Sequence, residues 1–458
     1  MTIESNIGPA DLLPVIRRMW ELSGPKILAI ERRLDENAPS PVFTVEGRYT
    51  ARGWTDWTQG FQFGSAILQY DSTGDEEFLR LGRANTLARM PAHVTAFGVH
   101  DHGFNNVSTY GNLRRLALEG RIGSEVLDVC ALALRCSGAV QARRWTGTAD
   151  GGGFIHSFNG PHSLFVDTIR SLRSLAVAHM LGQELLDEQD VRISLLERLC
   201  DHLEATARWS VYYGEGRDAY DVRGRTAHES VFNPVNGVYR CPSTQQGYSP
   251  FTTWTRGLAW AMCGFAEQLE FLTGPAAAAR SDRAQAAVAT AERAARATCD
   301  FYIEHTAADG IPYWDTGAPG LTRLGDWRER PSEPYNDHEP VDSSAAAIGA
   351  QGLIRLGCHL AGGGDEHNGR RYLQAGLTVA HTLLTEPYLS TDVRHEGLLL
   401  HSVYHRPNGW DHIPAGRLIP CGESSMWGDY HLRELALLIE RLATGGPYPV
   451  FWGRWAQS

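Results

Sequence analysis

The sequence predicts an all-α protein, an (α/α)6 barrel in which six inner helices are ringed by six outer ones. Three observations carry this prediction. Helical periodicity recurs from end to end, while strand-like alternation is scarce. Successive helices alternate between runs without charge and runs studded with both signs. The residues with chemical handles cluster at the starts of the uncharged helices.

Twelve helices are predicted, at 10–34, 57–71, 75–91, 101–117, 122–139, 161–182, 187–210, 251–273, 281–307, 342–359, 367–386 and 426–443. The second has no Asp, Glu, Lys or Arg from Trp57 to Tyr70. The eighth is uncharged from Gly257 to Ala266, and the tenth from Ser343 to Ile354. A helix apolar on nearly all sides must be buried, and these runs are too short to span a bilayer. Asp187 to Arg208 and Ser281 to Glu304 carry both charges, as helices with a solvent face do. Even-numbered helices are therefore inner and odd-numbered ones outer. Connections bear Gly or Pro, as in Gly151-Gly152-Gly153 and Pro234-Val235-Asn236-Gly237. The stretch from Tyr212 to Tyr248 lacks helical periodicity, and a loop of that length in a compact domain is usually functional. The expectation is one catalytic domain over 1–458 with an irregular active-site loop at about 212–248.

With 458 residues, 43% of them hydrophobic, the chain can bury a large core. A net charge of −11 argues against a nucleic-acid surface, yet a local Arg can still bind a small anion. The N-terminus has neither a basic region nor an apolar one of the secretory kind, and no segment is long enough to cross a membrane. The eight cysteines form no CxxC pair and read as reduced thiols of a cytoplasmic protein. No metal is expected, because His-Glu-x-x-His, a Cys cluster and an Asp/Asn calcium loop are all missing. No cofactor is expected either, since no phosphate-cradling glycine loop follows a strand.

If the inner helices run the same way, their N-termini meet at one pole. Unsatisfied N–H groups and positive dipole ends then converge there and favour a carboxylate. The groups at those starts are Trp57-Thr-Gln-Gly-Phe61, His100-Asp-His-Gly-Phe104, Val166-Asp-Thr-Ile169, Trp254-Thr-Arg256, Asp342-Ser-Ser344 and Trp427-Gly-Asp-Tyr430. In the fourth of these, one guanidinium, Arg256, sits between the indoles of Trp254 and Trp260.

These pieces, with Thr244-Gln-Gln-Gly-Tyr-Ser249, Trp254-Thr-Arg-Gly-Leu-Ala-Trp260, Tyr313-Trp-Asp315 and Asp342-Ser-Ser-Ala-Ala-Ala-Ile348, resemble glycoside hydrolase family 88, the unsaturated glucuronyl hydrolases, from about Trp54 to Ala443. The resemblance implies the (α/α)6 barrel reached above. It also implies removal of a 4,5-unsaturated uronic acid from the non-reducing end of lyase-generated di- or oligosaccharides by hydration of a vinyl ether. Asp167 matches the general acid/base, for which a raised pKa is expected. Asp101 matches the second carboxylate, which holds ring hydroxyls and shapes the charge of its partner. Substrate contacts are implied for Trp57, His100, Phe104, Phe158, His228, Gln246, Trp254, Arg256 and Trp260. Gln245 and Phe158 stand where the family usually has His and Trp, and His102 where it usually has an apolar residue.

Each residue also has a plainer reading. Asp101 and Asp167 suit helix starts, the indoles suit a core, and Arg256 suits bracing a carboxylate such as Asp342 as well as it suits pairing a uronate. Asp342, Ser343, Trp427 and Asp429 read as caps and inter-helix bonds. Rival functions are an unsaturated rhamnogalacturonyl hydrolase, a sugar epimerase or isomerase on a similar toroid, and a non-catalytic oligosaccharide-binding protein. Epimerases generally use paired histidines, whereas carboxylates dominate this pole, and retention of both aspartates argues against a mere binder.

Overall fold

A computed structural model describes residues 1–34, 38–51, 57–274 and 282–452. Six hairpins of helices form the toroid. The inner helices are Gln59–Thr73, the continuous run of His102–Asn106, Val107–Gly111 and Asn112–Leu118, the pair Thr168–Ser171 and Arg173–Met180, then Thr255–Thr273, Ser343–Gly362 and Met426–Thr444. The outer helices are Leu13–Arg33, Glu76–Arg89, Leu127–Arg143, Leu195–Trp209, Asp282–His305 and Glu366–Leu383. The start of the ninth predicted helix, Ser281, lies outside the described residues.

Charge alternation maps onto burial as expected. Every residue from Thr255 to Leu272 is buried. In the outer helix Leu195–Trp209, burial follows one stripe through Leu195, Leu199, Leu203 and Thr206, while Glu197 and Arg208 face water. The inner helices contact one another in sequence order, and Met426–Thr444 returns to Gln59–Thr73 to close the ring. Two motif glycines set the spacing. A Cβ on Gly60 would overlap the Asn105 backbone, and one on Gly103 would overlap that of Ser171. The glycines of Trp57-Thr-Gln-Gly-Phe61 and His100-Asp-His-Gly-Phe104 are thus places where neighbouring inner helices touch. Among the described residues, no helix is long and apolar enough to cross a membrane.

Short strands interrupt the helices and correct two predicted boundaries. The sixth predicted helix does not begin at 161. Ser163–Phe165 is a strand, paired antiparallel with Glu229–Phe232, which pairs in turn with Tyr239–Ser243. The irregular loop at 212–248 therefore carries two strands of its own. The seventh begins at Leu195 rather than 187, after a hairpin of Glu184–Leu186 and Arg192–Ser194. Ser194 caps that helix by accepting from Glu197 N at 3.3 Å. In both cases cross-strand pairing, which no helical period reports, overrides the helical pattern. The fourth helix contains a π turn at Val107–Gly111, one turn beyond the residues that matter most.

Candidate active site

A cavity of about 210 Å³ opens where the inner helices begin. It is lined by Trp57, His100, Asp101, Phe104, Phe158, Asp167, Gln246, Trp254, Arg256 and Trp260. Ten of the eleven site residues expected from sequence thus share one wall, although they span about 200 residues of chain. Helix starts bring them together. Asp101 occupies the N-cap position of His102–Asn106, yet its side chain makes no capping bond there. Asp167 holds the same position before Thr168–Ser171, again without a capping bond. Val166 N donates to His228 O at 2.9 Å, so the short sheet fixes the approach to Asp167.

His100 joins the two carboxylates. Its Nε2 donates to Asp167 Oδ1 at 3.1 Å and lies 3.8 Å from Asp101 Oδ1. The imidazole is buried against Phe158 and Phe165, with ring centroids 5.9 and 5.6 Å away. From the outer ring, Gln141 Nε2 donates to His100 O at 2.9 Å and fixes the backbone. Burial disfavours a charged imidazole, but Asp101 and the Asp167 hydrogen bond outweigh it and raise the His100 pKa.

The expected raised pKa of Asp167 is corrected. Burial pushes it up, but the His100 hydrogen bond, aided by the charges of His100 and Arg256, holds it below the ordinary carboxylate value. Between pH 3.8 and 6.5 the pair is therefore imidazolium and carboxylate. A proton is present between the two groups, and it rests on His100.

Arg256 takes the bracing role that the sequence allowed equally with a uronate contact, and it still lines the cavity. Its Nη1 donates to Asp342 Oδ2 at 2.9 Å and to Val403 O, and its Nη2 donates to Gln246 Oε1 at 2.9 Å and Tyr404 O at 2.8 Å. Those bonds hold the wall in place. Asp342 caps its own helix, accepting from Ser344 N at 3.1 Å. Trp427 Nε1 donates to Ser344 Oγ at 3.0 Å, and Asp429 accepts from Leu399 N at 2.8 Å. These residues are architectural, as read from the sequence.

His228 stands one layer behind the lining residues. Its ring packs on Phe165 and Trp254, with centroids 4.4 and 4.8 Å away, and its Nδ1 accepts from Gln245 N at 2.9 Å. Burial lowers its pKa to about 4, against the pull of Asp167 and Glu229, so the ring is neutral and Nε2 carries the hydrogen. His102 turns away from the cavity and bonds Ser137 Oγ at 2.9 Å and Ala96 O at 3.0 Å, which makes it a strut to the outer ring.

The wall also contains Phe165, Gln245, Tyr404, His405, Asn408 and Trp410. The last four come from an irregular segment between Glu366–Leu383 and Met426–Thr444. Its signal was present in the sequence, since this connection is as long and as aperiodic as 212–248. Asp411 secures it by accepting from Tyr404 N and from His405 N at 3.2 Å.

Two buried carboxylates bridged by an imidazole, ringed by indoles at the pole of an (α/α)6 toroid, define a glycoside hydrolase. No protein-family model matches the sequence. The chain is 29% identical over 407 residues to the unsaturated glucuronyl hydrolase of Bacillus sp. (strain GL1), spanning 87% of this chain and 90% of that protein. It is 25% identical over 392 residues to the protein of the same name from Formosa agariphila, spanning 83% and 78%. The crystal structure of unsaturated glucuronyl hydrolase from Streptococcus agalactiae shares the fold with a TM-score of 0.70 at 20% identity, covering 99% of each chain. Over most of its length the chain is thus similar to proteins named unsaturated glucuronyl hydrolase, the resemblance that its motifs implied.

Proposed function

We propose that this protein removes a 4,5-unsaturated uronic acid from the non-reducing end of a di- or oligosaccharide, with Asp167 as general acid and base. The observation that carries this reading is the 3.1 Å bond between His100 and Asp167 beside Asp101 in one buried cavity. The substrate has an enol ether between C4 and C5. Protonation at C4 leaves an oxocarbenium at C5, water adds there, and the hemiketal opens with loss of the aglycone. The chemistry requires one group that gives a proton to carbon and then takes one from water.

His100 solves the protonation problem posed by an ionised Asp167. A uronate carboxylate entering beside Asp101 and Asp167 adds a third negative charge to a buried cavity. That charge disfavours the ionised form of Asp167. The proton passes from His100 Nε2 to Asp167 Oδ1 and from there to C4. Water attacking C5 returns a proton to Asp167. Asp101 holds the ring hydroxyls, while Trp57, Trp254 and Trp260 present flat faces to the sugar. Phe158, where the family usually has Trp, offers a smaller face, and Gln245 replaces a titratable neighbour with a neutral one.

We further propose a cytoplasmic location. All eight cysteines are free, five of them buried, which suits a reducing compartment.

The conjugated chromophore of a lyase-generated disaccharide tests the reading, because hydration bleaches it. The wild type should bleach it, and Asp167→Asn should be slower by at least about 100-fold, the scale of general acid–base catalysis. Undiminished bleaching by that variant would remove Asp167 from its role. Saturated glucuronides should be inert, since they have no enol ether to protonate.

A further inference from the structure

Gln245 belongs to the cavity wall, and both its backbone and its side chain are tied down. Its backbone N donates to His228 Nδ1 at 2.9 Å. Its side-chain Nε2 donates to Asn159 Oδ1 at 3.0 Å, and Asn159 Nδ2 donates to Glu229 Oε1 at 3.1 Å. Asn159 follows Phe158 in the chain, and Phe158 is itself a wall residue.

The carboxylate at the end of this chain of bonds dictates which way both amides point. A carboxylate has only acceptors, so the Asn159 atom that faces Glu229 must be the nitrogen. The Asn159 oxygen then faces Gln245 and requires a nitrogen there. A second run of donors ends on the same carboxylate. Asn159 N donates to Ser157 Oγ at 3.1 Å, Ser157 Oγ lies 2.6 Å from Ser163 Oγ, and Ser163 Oγ donates to Glu229 Oε1. Ser163 has one hydrogen and gives it to Glu229, so Ser157 is the donor of the serine pair. Ser157 and Ser163 are fully buried and Glu229 is 5% exposed. Turning either amide over would set acceptor against acceptor in that buried place. Gln245 is therefore held in one orientation, with Nε2 towards Asn159 and Oε1 away from it. Among the described residues nothing donates to Gln245 Oε1. The amide thus offers the cavity one acceptor and the second hydrogen of Nε2.

We propose that Asn159 and Glu229 are positioning residues that aim the Gln245 amide at a hydroxyl of the sugar in the cavity. A hydroxyl donates and accepts at once, as the free oxygen and the remaining N–H require. A carboxylate or a sulfate ester has only acceptors and would set lone pairs against Oε1. A contact of this kind is the same before and during proton transfer, so it serves binding rather than the barrier. This proposal rests on the hydrolase reading above.

The test measures bleaching of an unsaturated disaccharide by the wild type, Gln245→Leu, Asn159→Leu and the double variant. Gln245→Leu should raise KM about three- to tenfold, the scale of one neutral hydrogen bond. Its kcat should stay within about twofold of the wild type, which also reports that the variant is folded. Asn159→Leu should raise KM by a similar or smaller factor at unchanged kcat, because Asn159 acts through Gln245. The double variant should be no worse than Gln245→Leu, since the two changes break one chain of bonds. KM losses that multiply in the double variant, or a KM unmoved by Gln245→Leu, overturn the proposal. A loss in kcat with KM unmoved would mean that the amide holds the attacking water, which overturns the hydroxyl assignment. In each of these cases the wild type still bleaches and the hydrolase reading stands. A wild type that bleaches nothing removes that reading, and this proposal with it.

Discussion

Replacing His100 with Gln tests whether the imidazole stores the proton or merely shapes the cavity. A Gln side chain can place a neutral N–H donor near the position of His100 Nε2, 3.1 Å from Asp167 Oδ1. It cannot carry a charge or release a proton. A hydrogen bond to a charged group contributes roughly 1.5–3 kcal/mol and a neutral one about 0.5–1.5. The difference of about 1–1.5 kcal/mol corresponds to roughly a tenfold loss in kcat. The loss should fall on kcat more than on KM, because the interaction matters most when the proton moves. The pH profile provides the sharper readout. In the wild type His100 is raised above its ordinary 6.5 by Asp101 and Asp167, against burial, and Asp167 is held below its ordinary 3.8 by His100, against burial. The pair is therefore ionised at least from 3.8 to 6.5, and its contribution to stability is present there. That contribution fades as pH rises through the raised His100 value, and again as pH falls through the lowered Asp167 value. In His100→Gln the catalytic proton must reside on Asp167 itself, so the alkaline limb of kcat/KM should move to lower pH. A tenfold loss with an unmoved alkaline limb would mean that His100 only fills space, and the proton-store argument would be wrong.

Other expectations follow from the braces around the site. Arg256→Met leaves Asp342 buried without its charged partner, and breaking a buried pair in that way costs about 3–5 kcal/mol. Urea unfolding measures the loss, and KM should rise as Gln246 and Tyr404 lose their anchor; wild-type stability in this variant would refute the bracing role. Asp315→Asn removes an acceptor from the turn that holds Tyr248 N and Gly317 N, so KM should rise more than kcat falls. Burial raises Asp315 from 3.8 to about 6, so the folded state holds the proton more tightly than the unfolded chain does. Stability should then fall by about 3 kcal/mol as pH rises from about 4 to 6, and the Asn variant should lose that slope. An unchanged pH dependence of unfolding would show that Asp315 titrates normally.

The inner and outer helices were legible because burial on both faces leaves long uncharged runs in a helix and confines charge to paired groups such as Arg170 with Glu267 and Glu434. Trp57 to Tyr70 and Gly257 to Ala266 are such runs. The motif residues were legible because helix starts are where unpaired N–H groups gather, and Asp101, Asp167 and Trp254 do lie at such starts around one cavity. The strand Ser163–Phe165 was not legible, since its partner Glu229–Phe232 lies more than sixty residues away and leaves no local period. The wall residues Tyr404, His405, Asn408 and Trp410 were missed because a long aperiodic segment marks a loop without marking which of its side chains meet the cavity.

The sequence alone determined the toroid, the pole where the inner helices begin and most of the side chains gathered there, because hydrophobic pattern and helix starts are local properties. Tertiary structure decided which of those side chains line the cavity and which bond to each other. Arg256 meets Asp342 86 residues away, and His100 meets Asp167 67 residues away. Charge state and hydrogen-bond partner depend on distances in space, so the protonation of Asp167 became readable only once the ring of helices had closed.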